Sequence, residues 1–153
     1  QTLYDKPANM FVAGFIGTPA MNFFTMKLIK EGDTLYVDNG ELKIAIPKER
    51  NSTLEHLTGK EIIFGIRPDD IHNPEYSPQD VHGERVSAKI DVVELMGNEI
   101  LVYMVTDKGS NFVGRVDPRS RHRVGETTEL IFNMDNSHIF YPSLDPENPV
   151  AVR

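Results

Sequence analysis

Residues 5–28 read DKPANMFVAGFIGTPAMNFFTMKL, and the spacing of the apolar side chains changes within this stretch. Before Gly17 they recur every three to four residues, the pattern of an amphipathic helix; they are Ala8, Phe11, Val12, Phe15 and Ile16. After Pro19 they recur every second residue, the pattern of a half-buried strand; they are Phe24, Met26 and Leu28. The stretch therefore predicts one helix within residues 1–18, followed by β-structure.

Short apolar runs separated by turn residues continue to the end of the chain, at 35–37, 42–46, 62–66, 86–92, 100–105, 112–116, 130–132 and 139–141. This spacing predicts a mainly β fold, either a sandwich or a small barrel. We expect a first lobe over residues 19–66, a second over residues 67–142 and a loose tail over residues 143–153. A short helix over residues 48–57 is expected to turn Leu54 and Leu57 inward.

Two local signals refine this expectation. Asn39-Gly40 between alternating runs predicts a tight hairpin in which both turn residues take positive φ. At Val92-Val93 the alternation slips by one residue, which would move all later side chains to the other face unless a β-bulge absorbs the slip. The sequence therefore leaves two outcomes for the long strand that begins near Val86: either a β-bulge absorbs the slip, or the later side chains change face.

The composition argues against several classes of function. A formal net charge of −7 disfavours capture of nucleic acid or anionic lipid by charge. The chain has no cysteine, and its five histidines lack the spacing of metal ligands. Its Gly59-Lys60 pair is followed by Glu61 and has no glycine five positions upstream, so the phosphate-binding loop of an ATPase is missing. We therefore expect no catalytic residue, cofactor site or metal site in this chain.

Four segments resemble one family, the ATP-binding subunits of carbohydrate-importing ABC transporters of the maltose, multiple-sugar and glycerol-3-phosphate type. Tyr4–Gly17 (YDKPANMFVAGFIG) resembles the helix that ends their ATPase domain, and Pro19, Met21, Asn22 and Phe23 resemble the segment that follows it. Residues 65–70 (GIRPDD) carry Asp69 where the family usually has glutamate. Residues 92–99 (VVELMGNE) and 115–119 (RVDPR) are the other matches.

The resemblance implies a regulatory domain of the TOBE type, an OB-fold-like β-barrel or sandwich in two lobes, also described as MOP-like. Residues 1–18 would then be the last helix of a preceding nucleotide-binding domain, which would bind ATP and Mg²⁺. The implied role is to hold two ATPase subunits together during sugar import, as a non-catalytic homodimerisation module. Implied partners are the nucleotide-binding domain, the permease subunits and a phosphotransferase-system regulator, with no nucleic acid; the implied place is the cytoplasmic face of the membrane.

The candidate interface or regulatory residues are Phe23, Gly65, Arg67, Asp69, Gly97, Asn98 and Glu99. Arg67 with Asp69 and Asp70 forms either a fork-type ion pair that fixes the strand exit or part of a dimer or ligand surface. Gly97-Asn98 forms either a hairpin chosen for its turn geometry or a loop exposed at an interface.

Alternatives from other classes remain open. A basic tract, comprising Arg115, Arg119, Arg121, His122 and Arg123, belongs either to a solvated loop or to a surface that meets phosphates or an acidic partner. The chain as a whole is either the regulatory module or a domain that senses a small oxyanion or sugar. A nucleic-acid-binding barrel and an independent enzyme are the weaker alternatives.

Overall fold

The computed structural model describes residues 20–78, 81, 83–141 and 150–152. The strands are β1 Asn22–Glu31, β2 Thr34–Asp38, β3 Lys43–Ala45, β4 Glu61–Ile66, β5 Ile71–His72, β6 Gly83–Met96, β7 Glu99–Val105, β8 Asn111–Val116, β9 Thr127–Asn133, β10 His138–Tyr141 and β11 Val150–Val152. A one-turn helix, α1, spans Asn51–Leu54, and 3₁₀ turns span Lys48–Arg50, Glu55–Leu57, Pro68–Asp70, Pro74–Tyr76 and Met134–Asn136. The prediction of a mainly β fold is confirmed, whereas the predicted helix over residues 1–18 lies outside the described residues.

The first sheet contains six strands in the order β11-β10-β4-β1-β2-β3, all paired antiparallel. The predicted alternation in β1 is confirmed, because Phe24, Met26 and Leu28 are at most 5% exposed. Their neighbours Thr25 and Lys27 are exposed on the opposite face. This inner face forms one wall of the core.

The second sheet contains five strands in the order β5-β9-β6-β7-β8, again antiparallel. Its two edge strands approach each other, since a Cβ on Gly114 of β8 would lie 3.0 Å from Ile71 Cγ2 of β5. Of the two outcomes left open by the sequence, the structure has the bulge, because the register between β6 and β7 shifts between Ile90 and Val92. The sheet is therefore strongly curled, as a small barrel requires.

Four buried phenylalanine rings join the two sheets in a single apolar core. Phe24 and Phe64 come from the first sheet, whereas Phe112 and Phe132 come from the second. The Phe132 centroid lies 6.4 Å from that of Phe24, 6.4 Å from Phe64 and 5.2 Å from Phe112. Phe132 thus contacts all three other rings of the cluster.

The second half of the chain returns to the first sheet, across the lobe boundary expected at residue 66. Strand β10 pairs with β4, aligning Ile139 with Phe64, and β11 pairs with β10, aligning Val152 with Ile139. Residues 150–152 of the expected loose tail are therefore a paired strand. The segment 48–57 turns Leu54 and Leu57 inward as predicted, but it forms a helical turn between two 3₁₀ turns.

The hairpin between β2 and β3 differs in geometry from its prediction. Only Gly40 has positive φ, at 86°, because Asn39 uses its side chain instead. Asn39 Oδ1 accepts hydrogen bonds from the backbone N–H groups of Glu41 at 3.0 Å and Leu42 at 2.7 Å. An asparagine that satisfies the loop backbone in this way permits a longer connection than a two-residue turn.

Candidate interaction surface

The β6–β7 hairpin carries apolar side chains beyond the end of the core. Leu95 is 77% exposed, Met96 48% and Val92 45%. The other large apolar residues exposed in the described part of the chain, Val124 and Val150, belong to a loop and to β11. The hairpin therefore concentrates exposed apolar surface, which in soluble proteins is typical of an interaction site.

Strand pairing explains why these side chains are exposed. Beyond the bulge Val93 faces the core opposite Val102, so Val92 and Met96 point to the outer side of the sheet. Leu95 lies on the same side as Val93, opposite Ile100, but beyond the core. Gly97 has a φ of +63° whereas Asn98 does not have positive φ, as in a type II′ turn. The Gly97-Asn98 turn thus closes a hairpin that projects from the barrel.

An ion cluster lies beside the turn of this hairpin, at the start of β7. Arg115 in β8 contacts Asp69 at 2.6 Å and Glu99 at 3.0 Å. The side chain of Arg115 is only 24% exposed, and the two acids are about half exposed. Arg115 therefore brings together two of the predicted site residues. Sequence reasoning placed Arg115 in the basic tract and did not connect it with either acid.

Phe23 and Gly65 lie together, on the outer face of the first sheet, where they are register partners. The Phe23 ring packs edge-on against Phe140, with a centroid distance of 5.9 Å. A Cβ on Gly65 would lie 2.6 Å from Met21 Sδ and 2.9 Å from Phe140 Cε2. Glycine at position 65 therefore allows close packing of this outer cluster, which is formed on a different sheet from the β6–β7 hairpin.

Arg67 is 3% exposed and lies between β4 and the 3₁₀ turn Pro68–Asp70. Its carbonyl oxygen accepts a hydrogen bond from the Asp70 N–H at 2.9 Å. Asn136 Nδ2 donates to the Asp70 carboxylate at 2.8 Å, so this turn is tied to the connection between β9 and β10. The segment therefore has a structural role at the strand exit.

Two further members of the basic tract, Arg119 and His122, contact the loop between β5 and β6. Arg119 donates to both carboxylate oxygens of Asp117, at 2.9 and 3.0 Å, and its guanidinium lies 4.3 Å from the centroid of the Tyr76 ring. The hydrogen bonds between these two side chains lower the pKa of Asp117 and raise the pKa of Arg119. His122 Nε2 lies 3.3 Å from Asn73 Nδ2. These contacts fit a folded loop with internal partners.

Two histidines make stability depend on pH. Burial lowers the pKa of both His72 and His122. At His122 a hydrogen bond acts in the same direction as burial, because Asn73 Oδ1 already accepts from the Glu75 N–H at 2.9 Å. Asn73 Nδ2 must therefore donate to His122 Nε2, and a proton on that nitrogen would break the contact.

The expected result is a loss of stability as pH falls from 7.5 to 5.5. The unfolded chain binds protons at these histidines near its ordinary pKa of about 6.5, whereas the folded chain resists them, so stability decreases below that pH. Urea unfolding at pH 7.5, 6.5 and 5.5 measures the effect. His122→Gln should reduce the dependence of the free energy of unfolding on pH. His56→Gln is the control, since this position is exposed, and should leave that dependence unchanged. Stability that is constant or higher at pH 5.5 would contradict the prediction.

No helix in the described part of the chain is long and apolar enough to cross a membrane. Nor do the described residues contain a group of three or more histidine, aspartate or glutamate side chains arranged to hold a metal ion.

Comparison with known proteins assigns both halves of the fold. The family described as "MalK OB fold domain" matches residues 17–71, and the family described as "TOBE domain" matches residues 64–140. The two matches overlap at the segment that contains Arg67 and Asp69. The solved structure of the cytoplasmic molybdate-binding protein ModG is similar to this one, with a TM-score of 0.53 and 13% sequence identity. The similarity covers 93% of the ModG chain and 78% of the present chain. That likeness shows the fold alone.

Curated relatives match along nearly the whole chain. The oligosaccharides import ATP-binding protein MsmX of Bacillus subtilis (strain 168) is 39% identical over 99% of this chain and 40% of its own length. The multiple sugar-binding transport ATP-binding protein MsmK of Streptococcus mutans is 38% identical over 100% of this chain and 39% of its own length. The trehalose/maltose import ATP-binding protein MalK of Thermococcus litoralis is 40% identical over 90% of this chain and 37% of its own length.

The chain thus spans about 40% of the length of these relatives. The matched part is the part that carries the two β-domains, and the TOBE match alone covers half of the 153 residues. The chain belongs to the TOBE domain family, in the form that is joined to a MalK-type OB fold domain in sugar-import ABC ATP-binding proteins.

Proposed function

We propose that this chain is the regulatory and dimerisation domain of the ATP-binding subunit of an ABC sugar importer. In this role it supports ATP-driven carbohydrate uptake and does not itself hydrolyse ATP. The names of the relatives support the assignment to sugar import. The missing phosphate-binding loop supports a non-catalytic role for these 153 residues.

The exposed apolar hairpin is the observation that carries the dimerisation part of the proposal. Burying a side chain such as Leu95 in an interface contributes roughly 1.5–3 kcal/mol relative to leaving it in water. A two-fold dimer applies the same patch twice, so each favourable contact is repeated by symmetry. The Asp69–Arg115–Glu99 cluster beside the turn of the hairpin would then form part of the polar rim.

The remaining partners follow from the same assignment. Two nucleotide-binding domains, each holding ATP and Mg²⁺, would be held together through a pair of these β-domains. Permease subunits would place the assembly at the cytoplasmic face of the membrane. A phosphotransferase-system regulator that binds this domain is a further partner expected from the same assignment.

Sedimentation velocity tests self-association through the hairpin. The 153-residue chain is expected to form dimers whose fraction rises with protein concentration. Leu95→Asp should shift the chain to monomer, because a carboxylate would have to be buried at the interface. Val124→Asp is the matched control: Val124 is 66% exposed but lies in the loop before β9, so its substitution should leave the dimer fraction unchanged.

Salt provides an independent check of the same interface. Each chain has a net charge of −7, and two copies repel each other. Raising the ionic strength screens this repulsion, so the dimer fraction should increase with salt if the contact is apolar. A chain that stays monomeric at high concentration and high salt, or an equal effect of Leu95→Asp and Val124→Asp, would overturn dimerisation through the hairpin.

A further inference from the structure

A cleft of about 940 Å³ lies between the two sheets, on the side of the helical segment that follows β3. Ile46 and Pro47 form one wall, and Gly83 at the start of β6 and Met134 after β9 form the other. Ile46 and Met134 are each only 2% exposed, so part of the wall is apolar. Arg50 also lines the cleft.

The guanidinium of Arg50 is held in a defined position. Its Nη1 donates to the carbonyl oxygen of Ser137 at 3.1 Å and to Ser137 Oγ at 3.2 Å. Ser137 is 5% exposed, and its own hydroxyl donates to the Met134 carbonyl oxygen at 2.7 Å. The arginine is therefore oriented by a buried group and is not a freely moving surface side chain.

Arg50 has no counter-ion in residues 20–78, 81, 83–141 and 150–152, where no carboxylate lies within 4 Å of it. The ion pairs found there involve other cations. Burial lowers the pKa of Arg50, and no neighbouring acid offsets that effect. Buried charges in proteins are normally paired or coordinated. Arg50 is only partly exposed and is one of the residues that line the cleft, so a ligand there can reach its guanidinium.

The charges around the cleft restrict the ligand that fits Arg50. Lys48 is a second cation in the lining, whereas Glu49, Glu84 and Asp135 are acids. Three acids repel a doubly charged oxyanion such as phosphate more strongly than a singly charged one. A carboxylate carries one charge, is planar and accepts two parallel N–H bonds from a guanidinium.

We propose that this cleft binds the carboxylate of a small acid with an apolar tail, with the carboxylate on Arg50 and the tail along Ile46 and Met134. The proposal goes beyond the regulatory and dimerisation role, since neither the hairpin nor self-association is involved. It adds a ligand-binding site for a monocarboxylate between the two sheets.

Pentanoate is the probe. Pentylamine, which has the same alkyl chain but a positive charge, and inorganic phosphate, an anion of higher charge, are the comparisons. In nuclear magnetic resonance titrations of the unsubstituted 153-residue chain, pentanoate should shift the Arg50 side-chain Nε–H signal in a saturable manner. A ligand of this size is expected to bind with a dissociation constant on the order of 1 mM. Phosphate and pentylamine should bind at least tenfold more weakly.

Arg50→Gln should weaken pentanoate binding at least tenfold, and Arg119→Gln is the matched control because Arg119 already has a carboxylate partner. Binding of N-acetyl-Leu-Glu-Leu-amide at the same signal would support the carboxylate site with a protein side chain as its source, whereas binding of pentanoate alone supports a free acid. Absence of a saturable shift with both carboxylates would overturn the proposal. So would pentylamine or phosphate binding as tightly as pentanoate. The titration of the unsubstituted chain decides the question even if Arg50→Gln does not fold.

Discussion

Replacing Phe132 with alanine is expected to lower the free energy of unfolding by about 3–5 kcal/mol. Phe132 is fully buried and contacts Phe24, Phe64 and Phe112, which come from both sheets. Removing its ring leaves a cavity at the one place where the four aromatic side chains meet, and neighbours fixed on two sheets have little freedom to fill it. Urea unfolding of the variant and the unsubstituted chain measures the difference.

The same variant tests whether the two sheets unfold as one unit. Because the cluster joins them in a single core, amide hydrogen exchange in β2 and β7 should accelerate together in Phe132→Ala. Phe132→Leu, which retains most of the apolar volume, should cost less, and Val124→Ala, at an exposed site, should cost under about 0.5 kcal/mol. A loss below about 1 kcal/mol in Phe132→Ala would contradict the predicted cost of the cavity. Protection lost in β7 alone would show that the two sheets unfold independently.

Local patterns in the sequence predicted the local structure of the barrel well. Alternation at Phe24, Met26 and Leu28 identified β1 and its inner face, because a side-chain period of two is a direct consequence of strand geometry. The slip at Val92-Val93 marked the place where the strand is irregular for the same reason, although it left open whether a bulge absorbs the slip. These signals depend on neighbouring positions only, so one sequence contains them completely.

Features that depend on distant partners were not predictable in the same way. The hydrophobic pattern of residues 139–141 indicates a strand but does not say that it pairs with β4 of the first sheet. Arg115 contacts Asp69 and Glu99, which lie 46 and 16 positions earlier in the sequence, and no local pattern links them. Leu95 illustrates the same limit, because it lies on the side of β6 that Val93 turns to the core, and only the extent of the core shows that it is exposed.

Asn22 is the residue whose importance sequence reasoning most underestimated. In the sequence it stands out only as a member of the segment around Pro19 and Phe23 that resembles the family, yet it is 8% exposed and joins the two sheets. Its Oδ1 accepts from the Val113 N–H at 2.8 Å, and its Nδ2 donates to the carbonyl oxygens of Val113 at 2.9 Å and Ile66 at 3.1 Å. Val113 lies on β8, an edge strand, so the amide of Asn22 satisfies backbone groups that no neighbouring strand pairs with.

Asn22→Ala is therefore expected to lower the free energy of unfolding by about 2–4 kcal/mol, since it leaves a backbone donor and two acceptors without their partner at a buried position. Asn22→Asp should cost at least as much at pH 7, because a carboxylate still accepts from the Val113 N–H but faces two carbonyl oxygens that need a donor. Lowering the pH toward 4 protonates that carboxylate and restores one donor, so the stability gap between Asn22→Asp and the unsubstituted chain should narrow.

Urea unfolding at pH 7 and pH 4 measures both effects, with Asn111→Ala as the control from β8 itself. Asn111 is exposed and donates only a long bond, 3.4 Å, to the Gly109 carbonyl oxygen, so its loss should cost under about 0.5 kcal/mol. If Asn22→Ala costs no more than this control, water replaces the amide at the edge of β8 and the sheets are held by the apolar core alone. A gap for Asn22→Asp that widens at pH 4 would contradict the donor argument, because protonation can only add a hydrogen there.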